Sequence, residues 1–278
     1  MKILSGKKVF ITGAASGIGR ATAVAMARAG GRLFLADINL EGLNKTCGLI
    51  KNAGGEVCLA RAFNVADYQA MAAFAEEVHA GYDALDILVN VAGIALFSQI
   101  EDMKHGDWEK VINVNLWGVI HGIECFVPEM IRAGHGGHIV SVSSTAGIIG
   151  LPWHAVYAGT KHALVGISEV LRYDLKKHNI GVSVICPGAV NTGLVQSVEI
   201  HAHSGSTDKF RKLFAKYALT PEKVADIILN AIRRRKFLVI TSFDIKLLYF
   251  LKRHFPGLFN LAMLLLTRLM DKALKPDG

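Results

Sequence analysis

Short apolar runs rich in valine and isoleucine recur along the chain, separated by stretches long enough to hold helices. The runs cover Lys8 to Thr12, Arg32 to Asp37, Val57 to Asn64, Ile87 to Asn90, Gly137 to Val142, Gly181 to Cys186 and Phe237 to Thr241. Between them lie Gly17 to Ala29, Tyr68 to Ala80, Trp108 to Arg132, Ala155 to His178 and Pro221 to Arg235. Strands that alternate with helix-length segments predict an α/β fold, a doubly wound parallel sheet with helices on both faces. No repeat, low-complexity linker or charge block marks a boundary. Residues 1–242 are therefore expected to form one domain, with 243–278 as an amphipathic, basic helical extension that is not an independent domain.

A content of 51% hydrophobic and 19% charged residues over 278 positions leaves ample material for a buried core. The net charge of +8 is unevenly spread. Residues 1–207 carry 16 Lys+Arg and 17 Asp+Glu, a balance of −1, whereas residues 208–278 carry 15 and 6, a balance of +9. Basic residues interleaved with exposed aromatics, or a helix-turn-helix pattern, are not found, so no nucleic-acid partner is expected. The tail is both basic and apolar, which points to a lipid surface or a greasy partner.

From Pro256 to Leu274 the polar positions Asn260, Thr267, Arg268, Asp271 and Lys272, continued by Lys275, cluster near one helical stripe, and leucines occupy most of the rest. Charges break this stretch and Pro256 bounds it, so it is not expected to cross a bilayer. Two destinations stay open for its wide apolar face. It packs on its own domain or a sister subunit, or it lies in a membrane interface with Arg233 to Lys236, Lys252 and Arg253 near the headgroups. The polar start, Met1 to Lys8, is too short for a secretory signal, so the expected compartment is the cytoplasm, with membrane association through the tail.

Four cysteines, Cys47, Cys58, Cys125 and Cys186, have no metal spacing and are expected to be buried thiols. His201 and His203, and His135 and His138, stand in no HExxH frame, so no metal is expected. His154 lines a pocket or belongs to a surface turn after Pro152.

Tyr157 and Lys161, four apart on a helix, share one face, where the ammonium can lie beside the phenol and ease its ionisation. That is the arrangement of a proton donor and acceptor at neutral pH. After the first strand comes Thr12-Gly13-Ala14-Ala15-Ser16-Gly17-Ile18-Gly19. Its glycines allow a tight turn, close approach to a pyrophosphate and close helix packing, with helix amides toward the phosphates. Alone, such a loop is a weak signal, because an ordinary strand-to-helix turn can carry the same glycines. Asp37 ends the second strand, where a carboxylate accepts hydrogen bonds from ribose hydroxyls and repels a 2′-phosphate. Ala36, Ile38 and Asn39 offer no arginine, and Ser16 rather than a base precedes Gly17, so NAD is expected in preference to NADP.

Together with Asn90-Val91-Ala92-Gly93, Asn115, Ser144, Tyr157-x-x-x-Lys161 and Pro187-Gly188-x-Val190-x-Thr192, this chain resembles the short-chain dehydrogenase/reductase family over roughly residues 5 to 240. The resemblance implies a Rossmann-like fold, hydride transfer with NAD, and a homodimer or homotetramer built through the helices carrying Asn115 and Tyr157. It places Gly13, Ser16, Gly17, Ile18, Gly19 and Asp37 on the cofactor, with Asn64, Val65, Asn90, Ala92 and Gly93 around its adenine end. Pro187, Gly188, Val190 and Thr192 fall at the nicotinamide. Val91 stands where the family usually has asparagine, and Asn64 where it often has aspartate.

In the same resemblance Tyr157 exchanges the proton of the alcohol and Lys161 lowers its pKa and holds the nicotinamide ribose. Ser144 positions the substrate oxygen, in preference to Ser143 because of its separation from Tyr157, and Asn115 carries a water for proton relay through its backbone. Substrate contacts are expected from Ile94, Ala95 and Phe97, from Ile148 to His154 including Trp153 and His154, and from Leu194, Val195 and Val198. That lining is mostly apolar, which predicts a lipophilic alcohol or ketone: a steroid, retinoid, aryl or long-chain compound. Residues 191 to 216, with Ser204-Gly205-Ser206, read as a lid. Two other functions compete: an NADPH-dependent 3-oxoacyl reductase, and a non-catalytic nucleotide-binding protein associated with membranes.

Overall fold

A computed structural model describes residues 4–191, 199–201 and 218–274, with backbone alone for 199–201 and 270–274. The first half comprises β1 (Lys8–Thr12), α1 (Gly17–Arg28), β2 (Arg32–Asp37), α2 (Leu40–Asn52), β3 (Glu56–Ala62), α3 (Tyr68–Tyr82) and β4 (Ile87–Asn90). Then follow β5 (Leu96–Ser98), α4 (His105–Ile112), a π turn at Asn113–Trp117, α5 (Gly118–Ala133), β6 (Gly137–Val142), α6 (Ala155–Asp174) and β7 (Ile180–Cys186). The chain continues through β8 (Glu199–His201), α7 (Pro221–Arg234), β9 (Leu238–Ile240), α8 (Phe243–His254) and α9 (Pro256–Leu274).

Seven parallel strands form one sheet in the order β3-β2-β1-β4-β6-β7-β9. The order reverses between β1 and β4, and there the carboxyl ends of the strands open a crevice. Successive side chains of β1 point to opposite faces, which divides the core in two. Val9 and Ile11 join Met26 of α1 and Ile228 of α7 on one side. Phe10 joins Phe74 of α3 and Phe126 of α5 on the other, with ring centroids 4.9 and 4.8 Å away. A fully buried phenylalanine contributes about 1.5–3 kcal/mol, so this aromatic trio anchors α3 and α5 to the sheet.

Local sequence sets the helix starts. Asn39, Asp67 and Thr220 each accept a first-turn backbone N–H with their side chains, and Pro221 opens α7. Gly134 closes α5 at φ 68°, a conformation that glycine adopts without strain. His105–Ala133 is a continuous helical stretch long and apolar enough to cross a membrane by length and composition. Phe126, Val127 and Met130 within it belong to the sheet-facing core.

The predicted strands are all present, with ends shifted by a residue or two. The predicted helix from Trp108 to Arg132 is instead α4 and α5 joined through the π turn. Helix α2 and the short parallel pair β5 and β8 add to the expected elements. The cysteines correct the expectation of buried thiols: Cys186 is buried, whereas Cys47, Cys58 and Cys125 are half-buried.

The extension packs on its own domain along one side only. Phe259 of α9 is buried with Ile148, Ile149, Val184 and Cys186, and Ile245, Leu248, Tyr249 and Met263 close around it. Lys252 Nζ donates to the Ile148 carbonyl at 2.7 Å.

Candidate active site

At the carboxyl end of β1, Gly13 has φ 70° and Gly17 has φ 48°, so the loop bends where other residues are strained. A Cβ on Gly13 would meet the Ala92 backbone at 2.9 Å, and one on Gly19 would collide with the Gly13 carbonyl oxygen. Ser16 stands at the N-cap of α1 without a capping bond from its side chain, and no acid occupies the first turn. The first amides of α1 around Gly17, Ile18 and Gly19 thus keep a positive end suited to an anion. Arg20 braces the loop from behind through the Ala15 carbonyl and Thr46 Oγ1. These glycines and the uncapped helix fit the pyrophosphate of a dinucleotide.

Asp37 Oδ2 accepts the Ala15 N–H at 2.8 Å and Oδ1 accepts the Asn39 N–H at 2.9 Å. The carboxylate is thereby fixed at the end of β2, beside the phosphate loop. Thr12 Oγ1 accepts from the amides of Val91 and Ala92 at 3.0 and 3.2 Å, tying the end of β4 to the loop after β1. Sequence reasoning gave Thr12 no role, because its hydroxyl serves a contact between segments 79 residues apart.

Around the crevice, Asn64 Oδ1 accepts from the Ala66 amide, and buried Val65 packs its Cγ2 toward Gly118. Asn90 is buried, and neither side-chain atom has a partner among the described residues. A Cβ on Gly122 would come within 2.8 Å of its Oδ1, which places that amide against α5. Gly93 lies beside the catalytic candidates, its Cβ position 3.1 Å from Asn115 Oδ1 and 3.4 Å from Lys161 Nζ. Pro187 offers its carbonyl to Thr145 Oγ1 at 2.9 Å, Gly188 N–H donates to Thr241 Oγ1 at 3.2 Å, and Val190 bridges to Leu219. Thr192 and Leu194 lie outside the described residues, as do Val195, Val198 and most of the segment 191 to 216.

Helix α6 carries Tyr157 and Lys161, both buried. Lys161 Nζ lies 5.7 Å from the Tyr157 ring centroid and donates to the Val142 carbonyl at 3.0 Å. Burial pushes the Tyr157 phenol above its ordinary range, and a hydrogen bond with Ser144 opposes it. Burial also lowers Lys161 to about 8. Desolvation is the larger influence on both groups, and at Tyr157 Ser144 supplies the opposing bond.

The two serines divide their work. Ser143 Oγ donates to the Lys161 carbonyl at 2.8 Å, whereas Ser144 Oγ accepts the Ala146 amide at 3.1 Å and faces Tyr157. Asn115, fully buried in the π turn, accepts from the Ile94 amide at 2.8 Å and donates to the Ile94 carbonyl at 2.9 Å and to Thr160 Oγ1 at 3.3 Å. With its side chain spent in this way, any relay role falls to its backbone, and π turns recur at functional sites. Thr160, which also donates to the Tyr157 carbonyl at 2.8 Å, was not singled out because it occupies an unspecified position of the Tyr-x-x-x-Lys pattern.

On the substrate side, the Phe97 ring lies 3.9 Å from His154 and 6.4 Å from Tyr157, edge-on to the latter. His154 is buried, its ring centroid 6.3 Å from that of Tyr157, so it sits beside the phenol and not in a surface turn. Its Nδ1 is bonded to the Pro152 carbonyl at 2.6 Å, and burial lowers its pKa, keeping it neutral. Trp153 adopts φ 66°, costing about 1–3 kcal/mol in a residue with a bulky side chain. Its carbonyl accepts the Ser98 amide at 2.9 Å, which ties the strained turn to β5. A buried phenol hydrogen-bonded to a hydroxyl, facing an apolar wall beside a dinucleotide crevice, can exchange a proton with a substrate oxygen.

A profile described as short chain dehydrogenase matches residues 7–202. The chain is 36% identical over 235 residues to the probable oxidoreductase EphD of Mycobacterium tuberculosis, covering 82% of this chain but 40% of that protein. The chain thus spans well under half the length of that relative. It is 33% identical over 250 residues to the putative oxidoreductase SadH of the same species, covering 88% and 90% of the two chains. Among solved structures, a short chain dehydrogenase/reductase from Burkholderia phymatum in complex with NAD superposes with a TM-score of 0.83 at 29% identity, covering 93% and 96%. The actinorhodin polyketide ketoreductase with NADPH does so at 0.77 and 26% identity, covering 86% and 97%.

Proposed function

The chain belongs to the short-chain dehydrogenase family, and on that premise we propose that it is an NAD(P)-dependent oxidoreductase that interconverts a lipophilic secondary alcohol and its ketone with NAD, using Tyr157 as acid and base. The observation that carries the reading is the buried Tyr157 bonded to Ser144, with Phe97 and His154 forming an aromatic wall beside it.

When bound, the nicotinamide supplies the hydride acceptor or donor. The chain's residues do the rest. Gly13, Gly17 and Gly19 let the backbone approach the pyrophosphate, and Asp37 accepts from the adenosine ribose and disfavours a 2′-phosphate. Asn64, Val65, Asn90, Ala92 and Gly93 complete the adenine side; Pro187, Gly188, Val190 and Thr192 complete the nicotinamide side. Ser144 donates to the substrate oxygen and holds it near the phenol. In oxidation Tyr157 takes the hydroxyl proton, and in reduction it returns one. Lys161, pushed down to about 8, holds the nicotinamide ribose and passes protons outward past the backbone of Asn115. Phe97, Trp153, His154 and Leu194 select an apolar substrate, and the steroid, retinoid, aryl and long-chain classes follow from that lining.

A homodimer or homotetramer, a cytoplasmic location and a peripheral membrane contact belong to the same proposal. The structural relative that holds NADPH favours a second reading, a 3-oxoacyl reductase using that cofactor, and Asp37 speaks against it. Nicotinamide absorbance tests the choice, with NAD and NADP offered alongside aryl, steroid, retinoid and long-chain alcohols and their ketones. Turnover with NAD on a lipophilic alcohol is the expected result. Exclusive use of NADPH on a 3-oxoacyl thioester overturns it.

A further inference from the structure

Among the described residues, α8 and α9 turn one side to the rest of the chain and leave the other uncovered. On α8, Phe243, Leu247 and Phe250 recur on one face, and on α9 Leu258, Leu261, Leu265 and Leu269 recur at the same helical spacing, with Leu264 beside them. Every one of these side chains is at least half exposed, from 50% for Leu247 to 80% for Phe243. Eight large apolar side chains on two consecutive helices exceed the scattered exposure normal for a monomer and mark an interaction surface.

Charge identifies the occupant. Lys246, Arg253 and Arg268 are exposed on the same two helices, and none is ion-paired among the described residues. Asp244 is the acidic residue on α8 and on α9 through Arg268. A two-fold contact between copies would set this basic face against itself, with little acid to relieve the repulsion. An anionic headgroup layer instead neutralises it while the leucines and phenylalanines enter the acyl boundary.

The surface is joined to the proposed site. Leu151 packs against both the group containing Tyr157 and the group containing Phe259, and Lys252 grips the Ile148 carbonyl at 2.7 Å. We propose that α8 and α9 dock the protein on an anionic lipid surface, with Phe243, Leu247, Phe250, Leu261 and Leu265 inserted and Lys246, Arg253 and Arg268 on the headgroups. Resting on the lipophilic substrate proposed above, this pose holds the wall of Phe97 and His154 close to the bilayer from which such a substrate partitions.

Cosedimentation of the full chain with phosphatidylcholine vesicles, with and without phosphatidylglycerol, tests the inference. Binding is expected to need phosphatidylglycerol, to weaken in high salt, and to be lost in Leu261→Glu/Leu265→Glu. Lys246→Gln/Arg268→Gln should weaken it by about fivefold for each charge removed. Both variants change exposed positions, and retained NAD binding reports their folding. Equal binding to both vesicle types overturns the inference, as does unimpaired binding by the leucine variant. Absence of vesicle binding, together with a smaller sedimenting mass for the leucine variant, overturns it in favour of a contact between copies. Vesicle binding without turnover of any offered alcohol sinks the proposed function and leaves the docking standing; turnover in solution without vesicle binding does the reverse.

Discussion

Asn115 holds Ile94 by both backbone groups, accepting its N–H at 2.8 Å and donating to its carbonyl at 2.9 Å. The side chain imitates a neighbouring strand for the segment that leaves β4, and its third bond reaches Thr160 on α6 at 3.3 Å. One amide therefore sets the distance between the end of the sheet and the helix that carries Tyr157 and Lys161.

Replacing it breaks that link. Asn115→Leu leaves both backbone groups of Ile94 without their partner, at a cost of about 3 kcal/mol. Chemical denaturation should show that loss, and kcat should fall further than the stability change explains, because α6 moves relative to Gly93. Native-like kcat in a destabilised variant would confine Asn115 to structure.

The neighbouring serines should separate cleanly. Ser144→Ala is expected to lower kcat/KM by about 10²-fold or more with little change in melting temperature. Ser143→Ala, which loses the bond to the Lys161 carbonyl, should cost about 1 kcal/mol of stability and leave kcat within a few-fold. Steady-state kinetics on both variants, paired with thermal unfolding, checks the assignment, and the opposite ranking would exchange their roles.

Asp37 should set the choice of cofactor. Asp37→Ser removes the charge that a 2′-phosphate would meet while keeping an acceptor for the Ala15 amide. The ratio of kcat/KM for NAD over NADP is predicted to fall by about tenfold or more. An unchanged ratio would remove Asp37 from cofactor recognition.

His138 makes stability depend on acid. Ser183 Oγ donates to the Lys236 carbonyl at 2.6 Å, so it accepts from His138 Nε2–H at 2.8 Å. Burial lowers its pKa to about 4 from an ordinary 6.5. Between those values the unfolded chain binds the extra proton, so stability is full above about 6.5 and falls as pH drops toward 4, by about 3 kcal/mol in all. Urea unfolding across this range, compared with His138→Gln, reports the difference; parallel slopes in the two proteins would refute it.

The sheet was legible because β1, β2, β4, β6 and β7 are nearly continuous apolar runs, as strands covered on both faces must be. Helix α2 carries Gly42 and Gly48, residues that disfavour a helix interior, and buries only Leu43, Thr46 and Ile50, so its composition does not announce a helix. Strands β5 and β8 are three residues long, too short for any alternation to register. The π turn at Asn113–Trp117, where Asn115 is buried, has no signature of its own in the sequence. For the candidate site, the positions of Tyr157, Lys161 and the glycines were readable from spacing. The bond from Ser143 to the Lys161 carbonyl, the brace from Thr12 to Val91 and the dominance of burial over charge at Tyr157 depend on distant segments meeting.

Transfer of the substrate proton by Tyr157 is tested most directly by Tyr157→Phe, which keeps the ring beside Phe97 and removes only the hydroxyl. With a lipophilic alcohol that the native protein oxidises, kcat should fall by about 10²–10⁴-fold while NAD affinity, read by fluorescence titration, stays nearly unchanged. Turnover at the native rate, with NAD bound as before, would contradict the account and place the proton on another group.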